Sequence, residues 1–526
     1  MIATGIIATV PELLIANAAR RPEHVAFRDA DKELSYAQLN ARTARLASSL
    51  LALGLGTRQR VLMYLDNSVE VAEGYLAAPR AGVVTVCANP TMTRPELTFV
   101  AQDSGAQVLI TDEAHLPVAL ATAQDVAEVT TLVITGSAEI PENAPDGVAI
   151  VRYEDLVGPD VVATAPDSTG LDEWTWMLYT SGTTGRPKGV HLTQRGCLWV
   201  VAACWVPIVH LGANDHVLSY LPLFHSYALV LSIIGVAATG ATATLLPKYS
   251  PSGARAKLAT GGVTLMPGVP TMFQYLLNSR EQDAVLDAPD LRLCISAGSI
   301  MSGSLNAEFE EYAGVPVLDG YGITETSTMV TMNAPTGIRV PGSCGLPLPG
   351  LSVRFVGADG VDVPFGNEGE LWVQGPNVML GYHERPDATA DAMSNGWYRT
   401  GDLGRRDPNG YITITGRVKE LIIRGGENIA PAEIEELLLS CDGVGDAAVV
   451  GVPHPDLGEV PVAFVVPADG QSLDRERILT VCRENLAYFK VPDRIVAIEE
   501  IPRTGSGKIR RFELKPKVTA PAQVAT

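Results

Sequence analysis

Short apolar runs alternate with amphipathic stretches along most of the chain, and that alternation sets the expected fold class. PELLIANAARRP and YAQLNARTARLASSLLALGL repeat apolar residues at helical spacing, and HVAFRDADKELSY between them reads as a short strand pair. RVLMYL, GVVTVCAN, AQVLITD, TLVIT and VTLMPGV are brief, rich in β-branched residues and continuously apolar. Strands buried on both faces have that character. Separated by helical stretches, they predict layered, parallel α/β subdomains.

The pattern changes near residue 340. LSVRFVGADG, GELWVQG and GYITITG are short strands divided by Gly, Asp and Asn turns, which predicts a small β-rich subdomain. Past Arg417 come KELIIRGGENIAPAEIEELLLS, DAAVVGVPH, VPVAFVVP, RERILTVCREN and DRIVAIE, a set that predicts a small α+β domain. The expected organisation is therefore a large α/β region over 1–416 and a second domain over 417–526. The break falls near Gly416–Lys419, and the last dozen residues read as a disordered tail.

Leu221 to Leu246 has no Asp, Glu, Lys or Arg and is long enough to be weighed as a membrane span. Pro222, His225, Gly235 and Gly240 instead divide it into a turn, a helix of about three turns and the strand ATATLLP. Met1 to Leu14 lacks a basic start and contains Pro11 and Glu12, unlike a secretory signal.

Composition narrows the function classes. The chain has 526 residues, too many for one compact core, and is 46% hydrophobic. A net charge of −20 disfavours nonspecific nucleic-acid binding, which needs a basic face. The seven cysteines form no C-x-x-C pair, so neither a disulfide framework nor a zinc site is expected. A reducing, cytoplasmic setting fits, with each cysteine as a buried apolar residue.

The chemistry concentrates in Tyr179-Thr-Ser-Gly-Thr-Thr-Gly-Arg-Pro-Lys-Gly-Val190, which follows the strand-like WTWMLY. Thr180, Ser181, Gly182, Thr183, Thr184 and Gly185 make a loop dense in hydroxyls and accessible amides, and Lys188 adds a cation. Such a loop suits a polyphosphate. It is not a Walker A loop, because Pro187 stands immediately before the lysine.

This string resembles the phosphate-binding loop of the adenylate-forming superfamily, which holds acyl-CoA synthetases, aryl-CoA ligases, nonribosomal adenylation domains and firefly luciferase. Five further segments resemble that family's motifs in order. They are Asp319-Gly-Tyr-Gly-Ile-Thr-Glu325, Tyr398-Arg-Thr-Gly-Asp402, Gly416-Arg-Val-Lys-Glu420, Arg424-Gly-Gly-Glu-Asn-Ile-Ala-Pro431 and Pro502-Arg-Thr-Gly-Ser-Gly-Lys508. The resemblance spans roughly residues 10–515 and implies an acyl-CoA ligase that uses ATP, Mg²⁺ and coenzyme A.

It also implies residue roles. Glu325 holds Mg²⁺, Thr184 belongs to the catalytic and nucleotide-binding set, and Thr324 touches the α-phosphate or the metal shell. Tyr321 faces the adenine, with Ala297, Gly298 and Ser299 opposite, Ile414 nearby, and Asp319, Gly320 and Gly322 completing that wall. Asp402 accepts from the ribose hydroxyls, as a two-oxygen carboxylate can, and Arg417 is a second ribose or phosphate contact. Lys508 bridges the attacking carboxylate and the α-phosphate, lowering the repulsion between two anions. Lys419 is the hinge of a domain rotation between two half-reactions, and Gly425 and Gly426 line a pantetheine tunnel.

The acid's own pocket is assigned to His225, Tyr227, Leu231, Cys294, Gly298, Gly322, Thr328 and Met329. His225 either orients the carboxylate or packs as part of an aromatic cluster. The remaining positions are mostly apolar, which suits a fatty, cyclic or aryl acid better than an amino acid. Ser296-Ala-Gly-Ser-Ile300 departs from the Ser-Gly-Gly/Ala-Ala-Pro of many relatives, so contacts there differ, and Cys344 replaces a commoner Val.

Two alternatives stay open: loading of a carrier-protein phosphopantetheine, or a single half-reaction on an acyl-adenylate. The absence of a carrier domain after the last motif favours free coenzyme A. Monomer and homodimer both fit.

Overall fold

A computed structural model describes residues 2–137, 140, 144–167, 169–180, 187–280, 284–424, 427–468, 470–504 and 507–519. Packing divides the chain into two compact units, Met1–Ser352 with Val373–Tyr398, and Val353–Trp372 with Arg399–Thr526.

The first unit is built on a nine-stranded and an eight-stranded sheet. In the eight-stranded sheet, Arg60–Tyr64, Val84–Cys87, Val108–Thr111, Thr131–Ile134 and Ala149–Arg152 run parallel. Alternation sends Val61 and Met63 into one core and Leu62 and Tyr64 into another. The continuous apolar runs are the signature of this double burial. Helices Val10–Arg20 and Tyr36–Ala52 begin at the capping boxes Thr9/Glu12 and Ser35/Gln38, which satisfy otherwise orphaned amides.

In the nine-stranded sheet, Leu265–Gly268, Leu293–Ser296 and Val317–Tyr321 are parallel neighbours, with Gly268 opposite Ser296 and Ser296 opposite Asp319. Their carboxyl ends therefore lie together, where open α/β sheets bind ligands.

The uncharged stretch behaves as a helix followed by the strand Thr242–Leu245, and Gly240 ends the helix in a left-handed conformation (φ 80°). Its middle, Leu229–Gly235, is π-helical, as is Val201–Trp205. The apolar pattern did not signal these wider turns. Among the described residues, no helix is long and apolar enough to cross a membrane.

The second unit has its own cores. In the antiparallel strands Val444–His454 and Gly458–Pro467, Ala447, Val449, Ala463 and Val465 face one way and Ala448, Val450, Val462 and Phe464 the other. Ile434 and Leu438 of helix Pro431–Leu439, with Ile478 and Cys482 of Arg475–Asn485, cover the first face. Leu514 and Val518 of Arg511–Thr519 cover the second. The large α/β region and the small α+β region match the fold class expected from the sequence.

Candidate active site

Strands Trp174–Thr180 and Lys188–Thr193 pair antiparallel, with Thr180 directly opposite Lys188. The loop between them is thus clamped at its base by a sheet. Ser181, Gly182, Thr183, Thr184 and Gly185 lie outside the described residues. Lys188 Nζ sits 4.9 Å from the centre of the Tyr382 ring, a favourable cation–π distance. The Tyr382 hydroxyl in turn donates to Glu325 Oε1 at 3.0 Å. One phenol therefore links the lysine at the loop's exit to the carboxylate of the Thr-Glu turn. Burial and the Glu325 carboxylate push the Tyr382 phenol upward, so it remains a donor.

Glu325 lies in the 3₁₀ turn Thr324–Thr326 and is half-buried. Asn377 fixes this turn from below, its Nδ2 donating to the Thr326 and Met329 carbonyls, both at 2.9 Å. The Met379 amide donates to the Glu325 carbonyl at 2.8 Å. After the turn, Ser327 (φ 49°) and Thr328 (φ 88°) both have positive φ. That is costly for a β-branched residue and typical of a site held by its surroundings. Gly322 makes it possible, since a Cβ there would stand 1.2 Å from the Thr328 carbonyl oxygen.

Asp319 lies in the buried part of its strand, one residue before that part ends, and is 7% exposed. Burial pushes its carboxyl well above the ordinary range. The nearby Ser296 hydroxyl and the Gly320 amide pull the other way, and burial outweighs them. Among the described residues, Asp319 Oδ1 and Ser296 Oγ are each buried with no partner in hydrogen-bond geometry. A buried acceptor without a donor is a place for a ligand's N–H. Gly320 packs tightly, as a Cβ there would meet Met332 Cε at 2.6 Å. Tyr321 and Gly322 are half-buried at the same strand end, as are Gly298 and Ser299 after the neighbouring strand. Ala297 is buried, and Gly298 has φ 90°.

The acyl-pocket candidates fall into two groups. His225, Gly298 and Gly322 are half-buried. Tyr227, Leu231, Cys294, Thr328 and Met329 are buried, with Leu231 and Cys294 at 0% exposure. His225 Nδ1 accepts from the Tyr227 amide at 3.3 Å, capping a short helix. Asp319 is near enough to raise the Tyr227 phenol further above its burial-shifted value. A carboxyl group therefore lies near Tyr227, one of a set of positions read from sequence as free of one. Its burial favours the protonated form, which supplies no full charge for an ammonium.

In the second unit, Asp402 is 3% exposed and its Oδ1 accepts from Arg417 Nε at 2.7 Å. The two residues face each other on paired strands, and Ile414 lies on the same strand as Arg417. Lys508 sits on a turn closed by local bonds. Thr504 N donates to the Lys508 carbonyl at 2.7 Å, and Arg503 Nη1 donates to the Gly507 carbonyl at 3.0 Å. Arg503 is itself paired with Asp446 at 2.8 Å. Lys419 is exposed in the short turn Val418–Glu420. Gly425 and Gly426 lie outside the described residues.

Tyr382 and Asn377 were missed by motif reading. The Gly-Tyr pair and the preceding Pro-Asn turn carry a local signal, but their roles come from contacts about 50 residues away in the chain (|i−j| 57 and 51). Among the described residues, the group of three His, Cys or carboxylate side chains with ligand atoms within 4.8 Å of one another is Asp66, Asp112 and His115. Among the described residues Glu325 belongs to no such group.

The AMP-binding enzyme family model matches residues 14–383, and the model of the AMP-binding enzyme C-terminal domain matches residues 433–508. A feruloyl-CoA synthase of an Amycolatopsis species is 36% identical over 504 residues, covering 95% of this chain and 97% of that protein. A naringenin synthase of Pestalotiopsis fici is 35% identical over 98% of this chain, yet the chain spans 19% of that protein's length. ATP-bound MatB from Rhodopseudomonas palustris superposes with a TM-score of 0.86 at 30% identity, covering 97% of this chain and 99% of that one.

Proposed function

The chain belongs to the AMP-binding enzyme family, and from that premise we propose that it is an AMP-forming acid–thiol ligase. In the first half-reaction a carboxylate oxygen attacks the α-phosphorus of ATP, and the bond to pyrophosphate breaks. In the second, a thiol, proposed to be that of coenzyme A, attacks the acyl carbonyl and AMP leaves. The observation that carries this reading is the Lys188–Tyr382–Glu325 linkage at the exit of the Thr180–Lys188 loop. It sets a cation and a carboxylate on either side of one phenol, beside the carboxyl ends of the parallel strands.

Each residue has a proposed task. Lys188 and the loop amides neutralise the phosphates. Glu325, its Oε1 held by Tyr382, keeps its carboxylate aimed at a divalent cation, which when bound would screen the phosphate charge. Asp319 Oδ1 accepts from the exocyclic amine of adenine, and Tyr321 lies against the ring. Asp402 takes the ribose hydroxyls, with Arg417 holding its other side. Lys508 enters for adenylation and withdraws for thioester formation. We propose Lys419 as the pivot, so the functional break lies at 416–419 even though the compact units divide elsewhere. Catalysis in this scheme is positioning plus electrostatics.

A panel of carboxylic acids tested with ATP, Mg²⁺ and coenzyme A examines the proposal, scoring pyrophosphate and acyl-CoA separately. Matched release of both is expected. Pyrophosphate without acyl-CoA would move the acceptor to a carrier protein, and acyl-CoA formed only from supplied acyl-adenylate would leave a single half-reaction.

A further inference from the structure

The deep end of the acyl site yields an inference that rests on the ligase reading and names its substrate class. Tyr227 crosses from its short helix to the strand Leu293–Ser296, where its hydroxyl donates to the Ile295 carbonyl at 3.0 Å. The ring is anchored at both ends and is 3% exposed. Trp205 stacks against it, with centroids 6.3 Å apart and 26° between planes.

Trp205, Cys204, Leu231 and Cys294 all have 0% exposure. A water-sized void touching any of them would register as exposed surface, so this region is close-packed protein. The two π-helical segments create the arrangement, because Val201–Trp205 carries the indole and Leu229–Gly235 receives it. A Cβ on Gly235 would lie 3.6 Å from Trp205 Cδ1 and 3.1 Å from the Val230 carbonyl. The indole thus packs against a helix face stripped of its side chain. Among the described residues the Trp205 N–H has no hydrogen-bond partner, and its contacts with Tyr227 and Gly235 are packing contacts. By contrast, Phe224, His225, Gly298 and Gly322 are only half-buried.

We infer that Tyr227 backed by Trp205 is the floor of the acyl pocket, that Trp205 determines specificity, and that the acid is a planar ring acid or a short-chain one. A long alkyl chain would have to displace packed side chains, which close-packed interiors resist. Shortening the indole removes the floor without touching the reacting atoms.

Binding of two stable acyl-adenylate mimics, benzoyl- and dodecanoyl-sulfamoyladenosine, to the full chain by calorimetry tests this. The wild type is expected to prefer the benzoyl mimic by about 100-fold, and Trp205→Ala to narrow that ratio to about tenfold or less by gaining the dodecanoyl mimic. Trp205→Leu, a gentler change, should narrow it part of the way and serves where the alanine variant does not fold. Wild-type binding of both mimics within threefold, roughly 0.7 kcal/mol, overturns the inference alone. So does an unchanged ratio in a folded variant. Binding of neither mimic overturns the ligase reading and this inference with it.

Discussion

The two units hold their functional groups in different ways. In the first, Glu325, Asp319 and Lys188 hang from the ends of buried strands or from a turn pinned by Asn377 and Tyr382. In the second, Lys508 rides on a turn closed by its own near neighbours, Thr504 and Arg503. Groups fixed by long-range contacts suit binding, where geometry must persist through turnover. A lysine on a self-contained turn keeps its local shape wherever its unit goes, which suits a group needed in one step and not the next. On the proposed scheme the difference separates recognition of phosphate, adenine and acid, carried by the first unit, from the switch carried by Lys508 of the second, while Asp402 of the second unit adds the ribose contact.

The comparison can be broken most sharply at Lys508. Lys508→Ala is expected to lower acid-dependent pyrophosphate release by about 1,000-fold while thioester formation from supplied acyl-adenylate stays near wild type. Equal loss of both steps would remove the switch from the second unit. Next in size, Glu325→Gln should lower pyrophosphate release by about 100-fold and raise the Mg²⁺ concentration needed for half-maximal rate. An unchanged Mg²⁺ dependence would deny Glu325 its cation.

Tyr382→Phe removes one hydrogen bond to a charged group, about 1.5 kcal/mol. About a tenfold loss is expected, seen chiefly in the KM for ATP, with melting temperature little changed. A loss in thioester formation alone would place Tyr382 in the wrong half-reaction.

The last effect falls on stability and leaves the chemistry untouched. His191, stacked on Trp174 with ring centres 3.7 Å apart, is drawn by burial from 6.5 down to about 4. Between those values the unfolded chain takes up a proton that the folded chain refuses, so stability is lost as pH falls from 6.5 toward 4. His191→Gln should show a shallower decline in melting temperature over that interval. Parallel curves would contradict the assignment.

Much of the architecture was legible because double burial writes itself as continuous apolar runs, as in RVLMYL and AQVLITD, and because turns at Gly and Asp separate the later strands. Legibility stopped where local pattern ceases to discriminate. In an uncharged, wholly buried segment such as Leu229–Gly235, a π turn and an α turn bury the same residues, so no period betrays the difference. Pocket depth was equally hidden, since Leu231 and Cys294 look the same in sequence whether they line a tunnel or fill a core. The motif residues of the Thr-Glu turn were visible, but the Tyr382 and Asn377 that hold it depend on tertiary contacts.

Acid-dependent exchange of labelled pyrophosphate into ATP, run without any thiol, tests acid activation most directly. Exchange that requires a carboxylic acid and Mg²⁺, and proceeds without coenzyme A, is the predicted result. Exchange that appears only when coenzyme A is present, or with no acid at all in a broad panel, would contradict it.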